Sequence, residues 1–169
     1  MKPILFPIVA LVAFANIAGG HEEHERKTVR YTLDGVEFAS TVVWDSHETD
    51  PLPGILMAPN WMGPTEASLK KAMEVADDDF VVMMVDMYGV DVRPTNAQEA
   101  SQAAGVVRSD RELMRARANK ALEVFRTMAD DGDAPLDAGR IAAIGFCFGG
   151  GTVLEAARSG ADLDAVVSF

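Results

Sequence analysis

Arg140 to Gly150 reads R-I-A-A-I-G-F-C-F-G-G, an apolar run, a cysteine between two phenylalanines, and glycines on either side. Arg140 to Phe146 has the near-continuous apolar character of a strand buried on both faces. Thr152 to Ser159 follows as a helical run. Between them, Gly145-Phe146-Cys147-Phe148-Gly149 has the glycine-x-nucleophile-x-glycine spacing of a strand-to-helix elbow. The turn is so tight that a side chain at Gly145 or Gly149 would collide with the neighbouring strand or helix. Cys147 is left at the tip, above a helix N-terminus whose amides favour the thiolate, the form that attacks carbonyls. The plain alternative is a cysteine acting as a small buried hydrophobe, with glycines that only permit close packing. The strand, elbow and helix context favours a nucleophile.

Upstream, the chain repeats the same alternation. Gly54 to Ala58 and Phe80 to Met87 are further apolar runs of the parallel-strand kind, and Ala165 to Phe169 is a fourth. Thr65 to Asp79 and Asn96 to Ala104 read as helices. A third helix opens at Ser109, where Ser109-Asp-Arg-Glu112 has the capping-box spacing. Met114, Ala118, Ala121, Leu122, Phe125 and Met128 give it one apolar face. Asp130 to Gly139, rich in Gly, Asp and Pro, is the loop back to the sheet. Near the start, Thr28 to Leu33 and Val36 to Trp44 flank Asp34-Gly35, a two-residue hairpin link, with Trp44 packing in the hairpin. The expected fold is α/β: a mostly parallel sheet with helices on both faces, opening with an antiparallel hairpin. No internal repeat or linker divides it.

In open sheets of this kind ligands bind beyond the carboxyl ends of the strands, here after Ala58, Met87 and Phe146. Phe148, the residue after the nucleophile, supplies one candidate oxyanion amide. The loop Ala58-Pro59-Asn60-Trp61-Met62-Gly63 nominates the amide of Trp61 as the second.

The segment from Arg140 to Gly150 is similar to the elbow of the dienelactone hydrolase family, α/β-hydrolases in which cysteine replaces the usual serine. Val85-Asp86-Met87-Tyr88-Gly89 and Val166-Val167-Ser168-Phe169 resemble two further strand ends of that family, so the resemblance runs from Pro51 to Phe169. It implies hydrolysis of a small-molecule ester or enol lactone through a thioester on Cys147, with no cofactor and no metal. Asn60 falls where the family has a glutamate that hydrogen-bonds the resting thiol, and asparagine cannot accept a proton at neutral pH. A general carboxylesterase with another substrate is therefore an alternative, as is a non-catalytic binding protein that keeps the pocket. In these hydrolases the aspartate and histidine follow the nucleophile. Only 22 residues follow Cys147; they hold Asp162 and Asp164 but no histidine, while His21, His24 and His47 lie near the other end. The expectation is a C-terminally truncated fragment whose triad partners lie beyond Phe169, with an incomplete sheet and no activity on its own. The family also binds a substrate carboxylate with an arginine from the region of Arg108, Arg111, Arg115 and Arg117, which otherwise read as a solvated, salt-bridged helix face.

The composition is that of a soluble globular domain, 49% hydrophobic and 24% charged. Lys2 and the uncharged run from Pro3 to Gly20 read as a signal peptide cut after Gly20, leaving residues 21–169 as the mature domain. Export to the periplasm or medium follows; the alternative is an anchor left uncleaved. Cleavage removes one lysine and no acid, moving the formal charge from −11 to −12. Such a surface repels nucleic acid and anionic lipid. A single cysteine excludes an intramolecular disulfide. His21-Glu22-Glu23-His24-Glu25 lacks the H-E-x-x-H zinc spacing and reads as a solvated tail. Asp77 to Asp79 and Asp130, Asp131 and Asp133 read as solvent-facing loop acids. No feature specifies an oligomeric state.

Overall fold

The computed structural model describes residues 24–169. The segment read as a signal peptide lies outside the described residues, as do His21, Glu22 and Glu23.

Strands β1 (His24–Leu33) and β2 (Val36–Asp45) form the expected hairpin. Its link, Asp34-Gly35, has both residues at positive φ, 50° and 79°. Pairing extends from Leu33↔Val36 to His24↔Asp45. β1 thus begins four residues before Thr28, and His24 and Glu25 belong to the sheet rather than to a solvated tail. Trp44 is half-buried in the hairpin against the core.

Strands β3 (Leu52–Ala58), β4 (Val81–Met84), β5 (Leu136–Gly145) and β6 (Val166–Ser168) complete a sheet of order β1-β2-β4-β3-β5-β6. β2 pairs antiparallel with β1 and β4; the remaining neighbours are parallel. The expected mostly parallel α/β sheet with an opening hairpin is what forms. β4 is shorter than the expected Phe80 to Met87, because Asp86 gathers the amides of Tyr88 and Gly89 and turns the backbone. β5 instead starts four residues before Arg140, since Leu136 pairs with Leu52 ahead of a register shift at Pro53/Gly54. The loop expected over Asp130 to Gly139 therefore gives up its second half to the sheet.

Helix α1 (Glu66–Ala76) is capped by Thr65, which accepts from the Ser68 amide, and stops at Asp77, whose φ of 40° cannot continue it. α2 (Ala97–Ser109) is capped by Asn96 and runs five residues past the expected end at Ala104. α3 (Arg111–Asp130) is capped by Asp110, which accepts from Leu113 N at 3.0 Å. The capping box at Ser109 does not form: Ser109 still belongs to α2, and its hydroxyl donates to Val106 O. α4 (Phe148–Arg158) begins immediately after Cys147, four residues before the expected Thr152.

Alternation along the strands divides the core into two layers. Leu56, Met83, Ile141 and Ala143 meet Phe125, Leu122, Val153 and Ala156 of α3 and α4. On the other face, Ile55, Met57, Val82 and Met84 meet Leu69, Ala72 and Ala76 of α1. Helices therefore cover both faces and leave the carboxyl ends of β3, β4 and β5 together at one rim.

Candidate active site

Cys147 is exposed and has φ 55° and ψ −108°, a conformation that costs a side-chain-bearing residue of order 1–3 kcal/mol. Hydrogen bonds on every side hold it there. Phe146 N donates to Ala58 O at 3.1 Å, Cys147 N to Phe169 O at 2.8 Å, and Gly149 N to Phe146 O at 2.9 Å. The flanking glycines are sterically required. A Cβ at Gly145 would lie 2.1 Å from Gly149 O, and one at Gly149 would lie 2.0 Å from Ala58 O. The same contacts press the start of α4 against the end of β3, so the loop after Ala58 lies beside the elbow.

That loop is a hydrogen-bonded turn. Gly63 N donates to Asn60 O at 2.9 Å, with Gly63 at φ 75°, and Met62 N donates to Asn60 Oδ1 at 2.9 Å. An Asx turn of this kind is a habit of asparagine at the first turn position. Because a trans peptide points its N–H opposite its C=O, the bond to Asn60 O turns the Trp61 N–H away from the interior of the turn. Among the described residues neither the Trp61 amide nor the Phe148 amide finds an acceptor. Two free donors therefore flank the elbow.

The strand end at Met84 leads into a buried polar hub. The Asp86 carboxylate accepts from the amides of Ala39, Tyr88 and Gly89 and pairs with Arg93 at 2.7 Å, while Asp86 N donates to Ser40 Oγ. Arg93 also donates to Gly89 O. Arg117 donates to Met87 O at 2.7 Å, its guanidinium 5.2 Å from the Phe38 ring centroid. The hub fixes Tyr88, whose hydroxyl donates to Trp61 O at 2.8 Å and whose ring lies 5.6 Å from that of Phe148. Burial pushes the Tyr88 phenol well above its ordinary value of 10; Arg108 opposes this, and Cys147 and Asp86 add to it.

The dienelactone hydrolase family model matches residues 39–169. The chain belongs to the dienelactone hydrolase family. It is similar to a dienelactone hydrolase-like promiscuous phosphotriesterase from metagenomic libraries, at 33% identity and a TM-score of 0.77 over 86% of this chain and 59% of that one. It is also similar to m3DLH, at 31% identity and a TM-score of 0.74 over 86% and 59%. With brefeldin A esterase, a bacterial protein 15% identical, it shares the fold at a TM-score of 0.60 over 91% of this chain and 42% of that one. The chain thus spans 59% of the length of the first two. No curated protein matches it significantly.

Set in this dienelactone hydrolase fold, the residues singled out from sequence separate. Cys147, Phe148, Gly145, Gly149, Asn60 and Trp61 come together at the rim. Asn60, expected beside the thiol at the family's glutamate position, has its side-chain oxygen engaged by Met62 N and acts as a turn former. His47 is hydrogen-bonded to Asp45 at 3.0 Å, a pairing that resembles a triad's base and acid, but at the wrong end of the sheet. β2 runs antiparallel to β4 with Thr41↔Met84 and Val43↔Val82, so Asp45 and His47 lie near the start of the parallel strands, opposite Cys147. His24, which pairs with Asp45, is at that end too. Among the described residues no histidine reaches the elbow, and no group of His, Cys, Asp and Glu is arranged to hold a metal.

The arginines of α2 and α3 do not behave as one solvated face. Arg115 bonds Glu155 and Glu112, as a salt-bridged face requires, whereas Arg117 is drawn under the Met87 carbonyl. Asp86 and Arg93 were not singled out from sequence as functional; the signal available was a lone carboxylate closing the apolar run V-V-M-M-V-D. A cavity of about 650 Å³ opens beside Tyr88, lined by Val92, Pro94, Ala103, Val106 and Val107 with Arg93 and Glu99 on its wall. A smaller one of about 180 Å³ lies between Asn60, Phe146, Met57 and Lys71. The first is within the size range of small-molecule sites.

Proposed function

We propose that this protein hydrolyses a small-molecule carboxylic ester or enol lactone, with Cys147 as the nucleophile. The observation that carries the reading is an exposed thiol held at φ 55° on the elbow, where the two segments that meet carry the Trp61 and Phe148 amides, neither with an acceptor among the described residues. Cys147 Sγ would attack the carbonyl carbon, forming a C–S bond while the carbonyl oxygen takes the negative charge against the amides of Trp61 and Phe148. Collapse would break the C–O bond to the leaving alkoxide or enolate, which takes up the proton lost by the thiol. Water would then cleave the thioester and restore the thiol. The proton carrier in this scheme is a histidine oriented by an aspartate, both from outside residues 24–169. Residue 60 is an asparagine whose Oδ1 is engaged by Met62 N, so thiol activation would use no carboxylate there. We further propose that the protein is exported, through the charged and apolar pattern of Lys2 to Gly20.

The test is turnover of p-nitrophenyl acetate and of simple enol lactones before and after treatment with iodoacetamide, and in Cys147→Ala. Both treatments are expected to lower turnover by on the order of a thousandfold or more, as loss of an acyl-transfer nucleophile does. The engagement of Asn60 Oδ1 by Met62 N favours a second reading, a hydrolase-like binding protein. Turnover unchanged by alkylation would sink the nucleophile, and no turnover at all in the full-length wild-type protein would leave the binding reading.

A further inference from the structure

We propose that Tyr88 is a positioning residue, which aims the Trp61 amide at the developing oxyanion by gripping the peptide that follows it. The inference rests on the esterase reading above and adds a residue to it. Four hydrogen bonds define the loop over Asn60 to Gly63. Two are internal, Gly63 N to Asn60 O and Met62 N to Asn60 Oδ1, and set the turn's shape. The other two tie the turn to the rest of the molecule: Ser68 Oγ of α1 donates to Gly63 O at its end, and Tyr88 Oη donates to Trp61 O, the carbonyl of its central peptide.

The tyrosine is suited to that task on all sides. Its backbone is fixed from below, because Tyr88 N donates to the buried Asp86 carboxylate and Arg117 holds the preceding carbonyl of Met87. Its ring packs so close to Gly63 that a Cβ there would come within 3.1 Å of it. The ring also meets that of Phe148, the residue carrying the second donor amide, at 5.6 Å and an interplanar angle of 40°. One side chain therefore touches both segments that supply oxyanion donors and sets the distance between them. Burial keeps the phenol protonated, so the hydroxyl remains a donor throughout any usable assay range.

An oxyanion donor contributes through placement. Losing one costs roughly 10²–10³ in kcat, and a displacement of about 1 Å costs about 10². Tyr88→Phe removes the grip and keeps the ring. The expected result in the full-length protein is a drop in kcat on p-nitrophenyl acetate of roughly tenfold or more with KM within about twofold. Affinity for a trifluoromethyl ketone, to which the thiolate adds to leave an oxyanion, should fall in parallel. The rate of Cys147 alkylation by iodoacetamide, a displacement at carbon that generates no oxyanion, should stay unchanged. Tyr88→Met, which fills the site and also lacks the hydroxyl, should give the same split and keeps the test open should Tyr88→Phe fold poorly. The proposal is overturned if both variants keep kcat and ketone affinity within twofold, or if alkylation slows as much as turnover does, which marks general disruption. Either result leaves Cys147-dependent turnover in place; loss of the parent reading shows separately, as a wild-type protein whose turnover does not depend on Cys147.

Discussion

Cys147 carries two opposed demands, and the conformation of a single residue shows how they are met. An exposed side chain at φ 55° and ψ −108° gains little from burial, and its backbone is one that glycine adopts freely and cysteine does not. The strain is overcome by the ladder that continues through the elbow, in which Phe146 N and Cys147 N donate to Ala58 O and Phe169 O. Cys147→Gly should therefore stabilise the fold, by about 1 kcal/mol once the greater freedom of glycine in the unfolded chain is subtracted. Urea titration checks this: the midpoint should rise while turnover disappears. A midpoint that falls would mean that the thiol packs in the native state. The glycine spacing made the elbow geometry at this residue legible in the sequence, together with the close packing at Gly145 and Gly149. The role of Asn60 was not legible, because an Asx turn and a thiol contact call for the same side chain at the same place, and only the Met62 amide decides between them.

Among the elements, α4 shows how closely a helix can approach a strand, and its glycines differ in what they do. A Cβ at Gly149 would meet Ala58 O at 2.0 Å, Ala58 C at 2.5 Å and Pro59 O at 2.5 Å, all backbone atoms with no rotamer to yield. Gly151, two residues on, has nothing within 4 Å of that position. Gly149→Ala should cost on the order of 4 kcal/mol or more, enough to empty the soluble fraction, because the helix would have to lift off the strand. Gly151→Ala should raise stability by close to 1 kcal/mol through helix propensity alone. The soluble yield of both variants and the melting temperature of Gly151→Ala test the pair, and similar behaviour in both would refute this account of α4. Element boundaries were the least legible feature of the sequence, each for a local reason. Ser109 and Asp110 are adjacent capping residues, and the cap went to Asp110 because α2 continues through Ser109. The glycines Gly149 to Gly151 hid the first turn of α4, since their low helix propensity argues against a helix that packing nonetheless enforces. β4 lost its last residues to Asp86, a carboxylate whose turn-forming bonds outweigh the apolar run before it.

Over the whole molecule, the class of the sheet was legible, because short apolar runs between amphipathic helices admit few arrangements besides a parallel sheet covered on both faces. The links between helices were not, since they join residues far apart in sequence. Glu155 is the clearest case: it accepts from Arg115 Nε at 3.0 Å and Nη2 at 2.8 Å across from α3, and from Arg158 at 2.8 Å on its own helix. Arg158, with Arg115 next, holds its carboxyl below the ordinary value of 4.5. Because the folded-state pKa is depressed, the stabilisation is fully present above the unfolded value and disappears as the pH falls through the folded one. Net charge works the other way. At −11 the protein repels itself at neutral pH, and mild acidification relieves that before any paired carboxylate is protonated. Stability should thus change little or rise between pH 7 and 5, then fall below 4.5 as Glu155 and its like take up protons. Glu155→Gln separates the two effects, since it removes the pairing and leaves the overall charge nearly intact. The difference in melting temperature between wild type and Glu155→Gln should be constant above pH 5 and shrink steadily below 4.5. A difference that persists unchanged at pH 3 would show that Glu155 contributes through packing and not as a carboxylate joining α3 to α4.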